Sequence, residues 1–85
     1  MTNRELLVEY GYEDLVIFDN PDYDAAIVGV SHDDRVIYDY YKMLECLMTI
    51  DGMTEEEAVD FISYNTIRSI PLAGDGAPIV MFEIN

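Results

Sequence analysis

The chain has 85 residues, of which 18 are Asp or Glu and 4 are Lys or Arg, and its formal net charge is −14. Proteins bind nucleic acids and anionic membranes through Lys and Arg side chains that neutralise phosphates, and four scattered bases are too few for either. The length allows one hydrophobic core, so we expect a single acidic domain over residues 1–85. One cysteine and one histidine provide neither a disulfide nor a structural zinc site.

The N-terminal part of the chain predicts a short helix followed by a short strand. Thr2 and Glu5 have the spacing of a capping box, and Gly11 favours the end of the helix that they begin. The apolar run at residues 15–18 predicts a buried strand, which would end at the turn-forming residues 19–22.

Three further segments have the composition of β-strands. Residues 25–30 are small or β-branched, and Gly29 among them indicates a bulge. A polar connection at residues 32–35 leads to residues 36–38, so the two segments predict an antiparallel hairpin. Residues 79–84 predict a last strand that joins the same sheet.

Two helices are predicted between the hairpin and the last strand. Asp39 is the expected N-cap of the first, in which apolar side chains recur at helical spacing at Tyr40, Met43, Leu44, Leu47 and Met48. Gly52 ends this helix, and Thr54 with Glu57 forms a capping box that opens the next, expected to end near Asn65 before a loop at 66–76. The predicted fold is α+β, with a small, mainly antiparallel sheet of three to four strands packed against a helical hairpin and a short N-terminal helix.

The acidic segment at residues 19–24 has oxygen ligands at alternate positions, as a calcium loop has. An EF-hand loop that starts at Asn20 would require glycine in place of Ala25 and glutamate in place of Ser31, so the pattern favours a solvated turn. Calcium binding through Asp19, Asp22 and Asp24 remains an alternative, which predicts a calcium-dependent shift in melting temperature.

No residue pattern predicts catalysis. His32 lies beside Asp33, but no nucleophile or second base is placed with this pair. No serine or cysteine has the surroundings of an activated nucleophile, and no glycine-rich loop precedes a helix. Cys46 falls within an apolar helical pattern, where a free thiol acts as a core side chain. We therefore expect a protein without catalytic residues, metal ligands or cofactors.

The acidic residues divide into those with a capping role and those without one. Glu5, Asp39 and Glu57 have capping roles. The remaining candidates for binding a partner are Asp19, Asp22, Asp24, Asp33, Asp34, Glu55, Glu56 and Asp60. Tyr38, Tyr40 and Tyr41 lie at one junction, and because strand and helix phases cannot bury all three, we expect one or two exposed rings that could anchor a partner, with Tyr40 in the core.

Four segments resemble small acidic proteins encoded by phages and prophages of Firmicutes: residues 36–43 (VIYDYYKM), 51–58 (DGMTEEEA), 64–68 (YNTIR) and 77–80 (APIV). In size and acidity the chain is also similar to the class of anti-CRISPR and other anti-defence inhibitors. That similarity implies a binding protein that occupies the basic nucleic-acid-binding groove of a host protein, such as a CRISPR effector, in the bacterial cytoplasm. The alternative is a structural or assembly protein that acts as a homo-oligomer, for example a homodimer.

Overall fold

The chain forms an α+β fold in the computed structural model, which describes residues 2–19 and 21–84. The elements, in chain order, are helix α1 (Asn3–Glu9), a 3₁₀ turn (Asp24–Ala26), strands β1 (Ile27–Val30) and β2 (Val36–Asp39), helix α2 (Tyr40–Thr49), helix α3 (Glu55–Phe61) and strand β3 (Ile79–Met81). Further helical turns extend α3 to residue 73. The predicted fold class and the short N-terminal helix are confirmed.

The three strands form one mixed sheet in the order β1-β2-β3. β1 and β2 form the predicted antiparallel hairpin, and their register shifts between Ile27 and Gly29, where a bulge was expected. β3 joins the sheet as predicted, but it pairs in parallel with β2 and ends at Met81 instead of residue 84. The arrangement leaves β1 and β3 as the two edge strands.

The prediction of a strand at residues 15–18 is wrong, and its prediction of burial is right only in part, because Val16 is exposed. Leu15, Ile17 and Phe18 pack against the core, whereas their backbone pairs with no strand of the described chain. The amide of Phe18 instead donates a hydrogen bond to the Tyr38 hydroxyl, at 3.0 Å. An apolar run specifies that a segment is buried, and it does not specify which group satisfies its backbone. The turn predicted after this segment includes Asn20, which lies outside the described residues.

The predicted caps hold the helix ends. The Thr2 hydroxyl accepts a hydrogen bond from the Glu5 amide, which is half of the predicted capping box. The Asp39 side chain caps α2 by accepting hydrogen bonds from the backbone amides of Tyr41 and Lys42. Thr54 and Glu57 form a complete capping box at the start of α3, in which each side chain accepts a hydrogen bond from the backbone amide of the other. Gly52, with φ of 69°, makes the corner between α2 and α3. Within residues 2–19 and 21–84, no helix combines the length and the apolar character needed to cross a bilayer.

The prediction that α3 ends near Asn65, before a loop, is wrong. The helix widens into a π-helical segment (Ile62–Thr66) and continues through Ile67–Ser69 and a 3₁₀ segment (Ile70–Ala73). Thr66 is buried, and its hydroxyl lies 2.8 Å from the Tyr23 hydroxyl, so a contact distant in sequence favours helix where local signals favour a loop. Pro71 fits because it lies in the first turn of the 3₁₀ segment, where its missing N–H is not needed.

The core lies between the sheet and the two long helices, and Tyr23 and Tyr38 are at its centre with no exposed surface. Their rings pack on each other and on Phe18, with centroid separations between 4.8 and 6.4 Å. Burial raises the pKa of the Tyr38 hydroxyl to about 12. Cys46 is buried as expected, and burial, followed by nearby carboxylates, raises the pKa of its thiol.

Candidate protein-binding site

The carboxylates of the protein are almost all on its surface. Every Asp and Glu residue is exposed except Asp24, which is half-buried, and Asp39, which is buried as a helix cap. The described residues form two ion pairs, and both involve Arg4. The negative charge of the surface is therefore largely uncompensated by neighbouring bases.

The other Arg side chains are engaged with uncharged groups. The guanidinium of Arg35 donates to the carbonyl oxygen of Ala77 at 2.7 Å. The guanidinium of Arg68 lies over the ring of Tyr64, 5.1 Å from its centroid. Neither guanidinium forms an ion pair with a carboxylate among the described residues.

Arg4 links α1 to the acidic segment before β1. Its guanidinium contacts the carboxylate of Asp24 at 3.0 Å and that of Asp19 at 3.3 Å. Partial burial by itself lowers the pKa of the Arg4 guanidinium, but the charge and hydrogen bond of Asp24, followed by the charge of Asp19, outweigh burial and raise that pKa. One cation between two carboxylates leaves a net negative charge. It also contacts one carboxylate oxygen of each of two residues that the alternative calcium site would use, Asp19 and Asp24.

Asp22 belongs to the same region, on the side that faces the end of α2. Its carboxylate accepts a hydrogen bond from the Asp24 amide at 3.0 Å, and both residues line a shallow depression of about 310 Å³ together with Ile50. Burial, followed by the charge of Asp51 among other causes, raises the pKa of the Tyr23 hydroxyl. Ile50, at the end of α2, lines the depression with Asp22 and Asp24, so the next residue, Asp51, lies on the side of the acidic segment.

Glu55 and Glu56 begin α3 directly after this corner. The Met53 amide donates a hydrogen bond to the Leu47 carbonyl at 3.1 Å, so the chain turns back on the end of α2 just before Glu55. Both glutamates are exposed, and the N-terminal end of a helix favours negative side chains. We name this region the acidic corner; its members are Asp19, Asp22, Asp24, Asp51, Glu55 and Glu56.

Asp33 and Asp34 lie elsewhere, in the turn between β1 and β2. The Asp33 carboxylate accepts a hydrogen bond from the Ser31 hydroxyl, which is the main reason that the pKa of Asp33 is lowered. Asp34 has a positive φ of 60°, a conformation that Asp tolerates better than most residues. The four residues of β1, at roughly 3.3 Å each, separate this turn from Asp24 by about 13 Å.

Asp60 lies on α3, one helical turn after Glu56. It lines a shallow depression with Glu57, Tyr64 and the side chain of Met53. The eight acidic residues predicted from the sequence therefore do not form one surface. Five of them lie in the acidic corner, two lie in the hairpin turn, and Asp60 is on α3.

An aromatic cluster is the second exposed feature. The ring centroids of Tyr40 and Phe82 are 4.6 Å apart. The centroid of the Tyr41 ring lies 5.7 Å from that of Tyr40 and 5.9 Å from that of Phe82. Tyr41 is 56% exposed and Phe82 is 58% exposed, whereas Tyr40 is partly buried and Tyr38 is fully buried. The expectation that one or two of the three tyrosines are exposed is confirmed.

Sequence reasoning missed Asp51 and Phe82. Asp51 was not among the candidates, although Gly52 and the capping box at Thr54 already predicted a tight corner that would expose it. Phe82 was placed inside the last strand, and no local signal marks Met81 as its end.

The described residues hold no group of three or more His, Cys, Asp and Glu side chains that is placed to bind a metal ion. Comparison of the chain with protein-family models, with curated proteins and with solved structures finds no match.

Proposed function

We propose that the protein is an acidic inhibitor of the anti-defence class, encoded by a phage or prophage, which occupies the basic nucleic-acid-binding groove of a host protein such as a CRISPR effector. The proposal places this action in the cytoplasm of a bacterial host and assigns no catalytic residue and no cofactor. The observation that supports it most strongly is the exposure of nearly every carboxylate with so few compensating bases.

The acidic corner is the part of the surface best suited to this role. At physiological ionic strength a charge is screened over about 8 Å, so neighbouring carboxylates act together and those across the molecule contribute less. Asp51, Glu55 and Glu56 accept no hydrogen bond from a side chain in the described chain, and their carboxylates are free to meet Lys and Arg. Such a surface steers a basic partner and gives fast, salt-sensitive association.

The proposal is tested by capture against a defined panel. The immobilised protein is offered purified nucleic-acid-binding enzymes, including CRISPR effectors, at low salt, with acidic enzymes of similar size as controls. Retention of a basic enzyme is expected, and both duplex DNA and added salt should release it, because they compete for the same basic groove. If the panel yields no retained basic enzyme at low salt, the proposal is wrong.

A homo-oligomer is a second candidate, which the open edge of β1 favours. An edge strand presents unpaired backbone groups that a second copy could bind. The net charge of −14 opposes such self-association, and added salt should therefore promote it. Light scattering over a range of concentrations and salt distinguishes the candidates, because a monomer under every condition contradicts the oligomer.

A further inference from the structure

A groove lies between α1 and the edge strand β1, and no member of the acidic corner lines it. It has a volume of about 360 Å³, within the range of ligand-binding clefts. Its lining is mostly apolar, from Leu6, Leu7, Tyr10 and Tyr12 on one wall and from Ile27, Val28, Gly29 and Val30 on the other. Tyr10 is 76% exposed, although its ring forms part of this wall.

The end of α1 explains why the groove has an aromatic wall. Gly11 adopts a positive φ of 91°, the amide of Tyr12 bonds to the carbonyl of Leu7, and the amide of Gly11 bonds to the carbonyl of Val8. These two bonds define a Schellman motif, which reverses the chain after the helix. The reversal returns Tyr12 to the side of the helix that faces β1, where it lines the groove with Tyr10.

The floor of the groove carries backbone groups that are available to a ligand. Ser31 directs its N–H towards β2, where the carbonyl of Arg35 accepts it. Because neighbouring residues of a strand direct their backbone groups to opposite sides, Val30 presents its N–H and C=O to the open edge. In the described chain, one side chain bonds to this edge: the Nδ2 amide group of Asn3 donates a hydrogen bond to the carbonyl oxygen of Ile27, at 3.0 Å. Asn3 thus closes one end of the groove and leaves the remainder open.

The charge beside the groove selects the composition of its ligand. On the helical wheel of α1, Glu9 lies about 60° from Leu6, so one flank of the apolar stripe is acidic. Glu5 lies beside Glu9 on that flank, and both are exposed. Arg4 is on the opposite flank, where Asp19 and Asp24 already hold it. A ligand would therefore gain from positive charge and would lose from negative charge.

We propose that this groove binds an extended segment of a partner protein, which adds as a strand to β1 and carries apolar side chains alternating with Lys or Arg. Backbone hydrogen bonds to β1 hold such a strand, its apolar side chains fill the groove, and its basic side chains face the acidic flank of α1. This site goes beyond the proposed function, because α1 and β1 form it, beyond Asn3 from the acidic corner, and its existence does not depend on ligand binding at that corner.

The test is an NMR titration of the ¹⁵N-labelled protein with synthetic nonapeptides. The probe alternates valine and lysine, and two control peptides replace every lysine by glutamate or methylate alternate backbone nitrogens. We expect the lysine peptide to shift the amide signals of Leu6, Tyr10, Val28 and Val30, and we expect neither control to do so. Shifts confined to the acidic corner, or equal shifts with the glutamate peptide, would contradict the proposal.

Two matched pairs of exposed variants test the wall and the flank of the groove. Tyr10→Lys should weaken binding of the lysine peptide about tenfold, whereas Tyr64→Lys, the same change at a site that is 63% exposed on another surface, should leave it unchanged. Glu9→Gln should weaken it by a smaller factor than Tyr10→Lys and reduce its salt dependence, whereas Glu45→Gln on α2 should not.

The remaining outcomes are also decisive. If Tyr10→Lys and Tyr64→Lys reduce peptide binding equally, the groove is not the site. If the signals of β1 shift with protein concentration in the absence of peptide, its edge binds a second copy of the chain, and the proposal is overturned. Neutralisation of Glu55 and Glu56 should leave the peptide-induced shifts of Val28 and Val30 unchanged, so that failure of this site and failure of the acidic corner remain distinguishable.

Discussion

The acidic corner and the hairpin turn contain carboxylates that look alike in the sequence but have different surroundings. In the turn, Asp33 bonds to Ser31 and Asp34 supplies a left-handed backbone conformation, so both residues contribute to local structure. In the corner, Asp51, Glu55 and Glu56 have exposed carboxylates without such partners in the described chain. The number of acidic residues therefore does not measure the size of a binding surface. What matters is which carboxylates remain free after the fold has used the others.

The largest expected effect is on association with a basic partner identified from the defined panel. Glu55→Gln with Glu56→Gln removes two charges from the acidic corner, and Asp33→Asn with Asp34→Asn removes two from the hairpin turn. The corner variant should slow association by about tenfold or more at low salt, because it weakens the field that steers the partner. Stopped-flow or surface-plasmon measurements give both rates, and the turn variant should keep a rate close to that of the original protein. Equal slowing by the two variants would remove the distinction between the regions.

The next effect concerns the anchoring of the acidic corner. Tyr23→Phe removes the hydroxyl that lies 2.8 Å from the Thr66 hydroxyl in the core, so Thr66 loses its buried partner. We expect the free energy of unfolding to fall by about 1–2 kcal/mol, measured by chemical denaturation. Tyr41→Phe is the matched control, since the Tyr41 ring is exposed. This substitution should change the free energy of unfolding by less than about 0.5 kcal/mol.

Hydrogen exchange in the Tyr23→Phe protein localises that effect. Amide exchange should accelerate at Asp22 and Asp24, which flank the substituted residue, and not at Asp33 and Asp34. If exchange at the hairpin turn accelerates as much, the two regions are not held independently.

A smaller effect is expected from salt, with opposite signs for stability and for binding. Added sodium chloride screens the repulsion among the carboxylates, so the melting temperature should rise by a few degrees between low and moderate salt. The same addition should slow association with a basic partner. Calorimetry and association kinetics over one salt series test both signs, and potassium chloride controls for an ion-specific effect. A melting temperature that falls with salt would show that self-repulsion is not the dominant electrostatic effect.

The smallest effect is confined to the hairpin turn. Ser31→Ala removes the hydroxyl whose hydrogen bond lowers the pKa of Asp33, so that pKa should rise towards its ordinary value of 3.8. Because the folded-state pKa is the lower one, ionised Asp33 contributes stability that is complete above the unfolded value and is lost as the pH falls through the folded value. An NMR titration of the Asp33 carboxyl measures the shift, and Asp34 in the same spectra is the internal reference. An unchanged Asp33 pKa would contradict the assigned cause.

Local signals predicted much of the fold. The caps at Thr2, Asp39 and Thr54 and the bulge near Gly29 depend on residues close together in the chain, and they occur as expected. The errors arise where contacts between residues distant in the sequence determine the backbone conformation. The Tyr38 hydroxyl accepts a hydrogen bond from the Phe18 amide, and the Tyr23 hydroxyl contacts the Thr66 hydroxyl in the extended helix. Sequence patterns contain no information on such partners.

The candidate site was less predictable than the fold. The sequence identified which acidic residues cap helices, but the ion pairs of Arg4 with Asp19 and Asp24 join positions that are 15 and 20 residues apart. The position of the α2 end beside Asp22 and Asp24 depends on how α2 packs on the turn before β1. Grouping of charges on one surface is thus a property of tertiary packing.

The most direct measurement is a map of where a simple polycation binds. A short oligolysine peptide is titrated into the ¹⁵N-labelled protein at low salt, and the amide shifts of the acidic corner are compared with those of the hairpin turn. If free carboxylates define the binding surface, the largest shifts occur at Asp51, Glu55 and Glu56, and that at Asp33 remains small. Equal shifts in both regions, or larger shifts at the hairpin turn, would contradict the central claim.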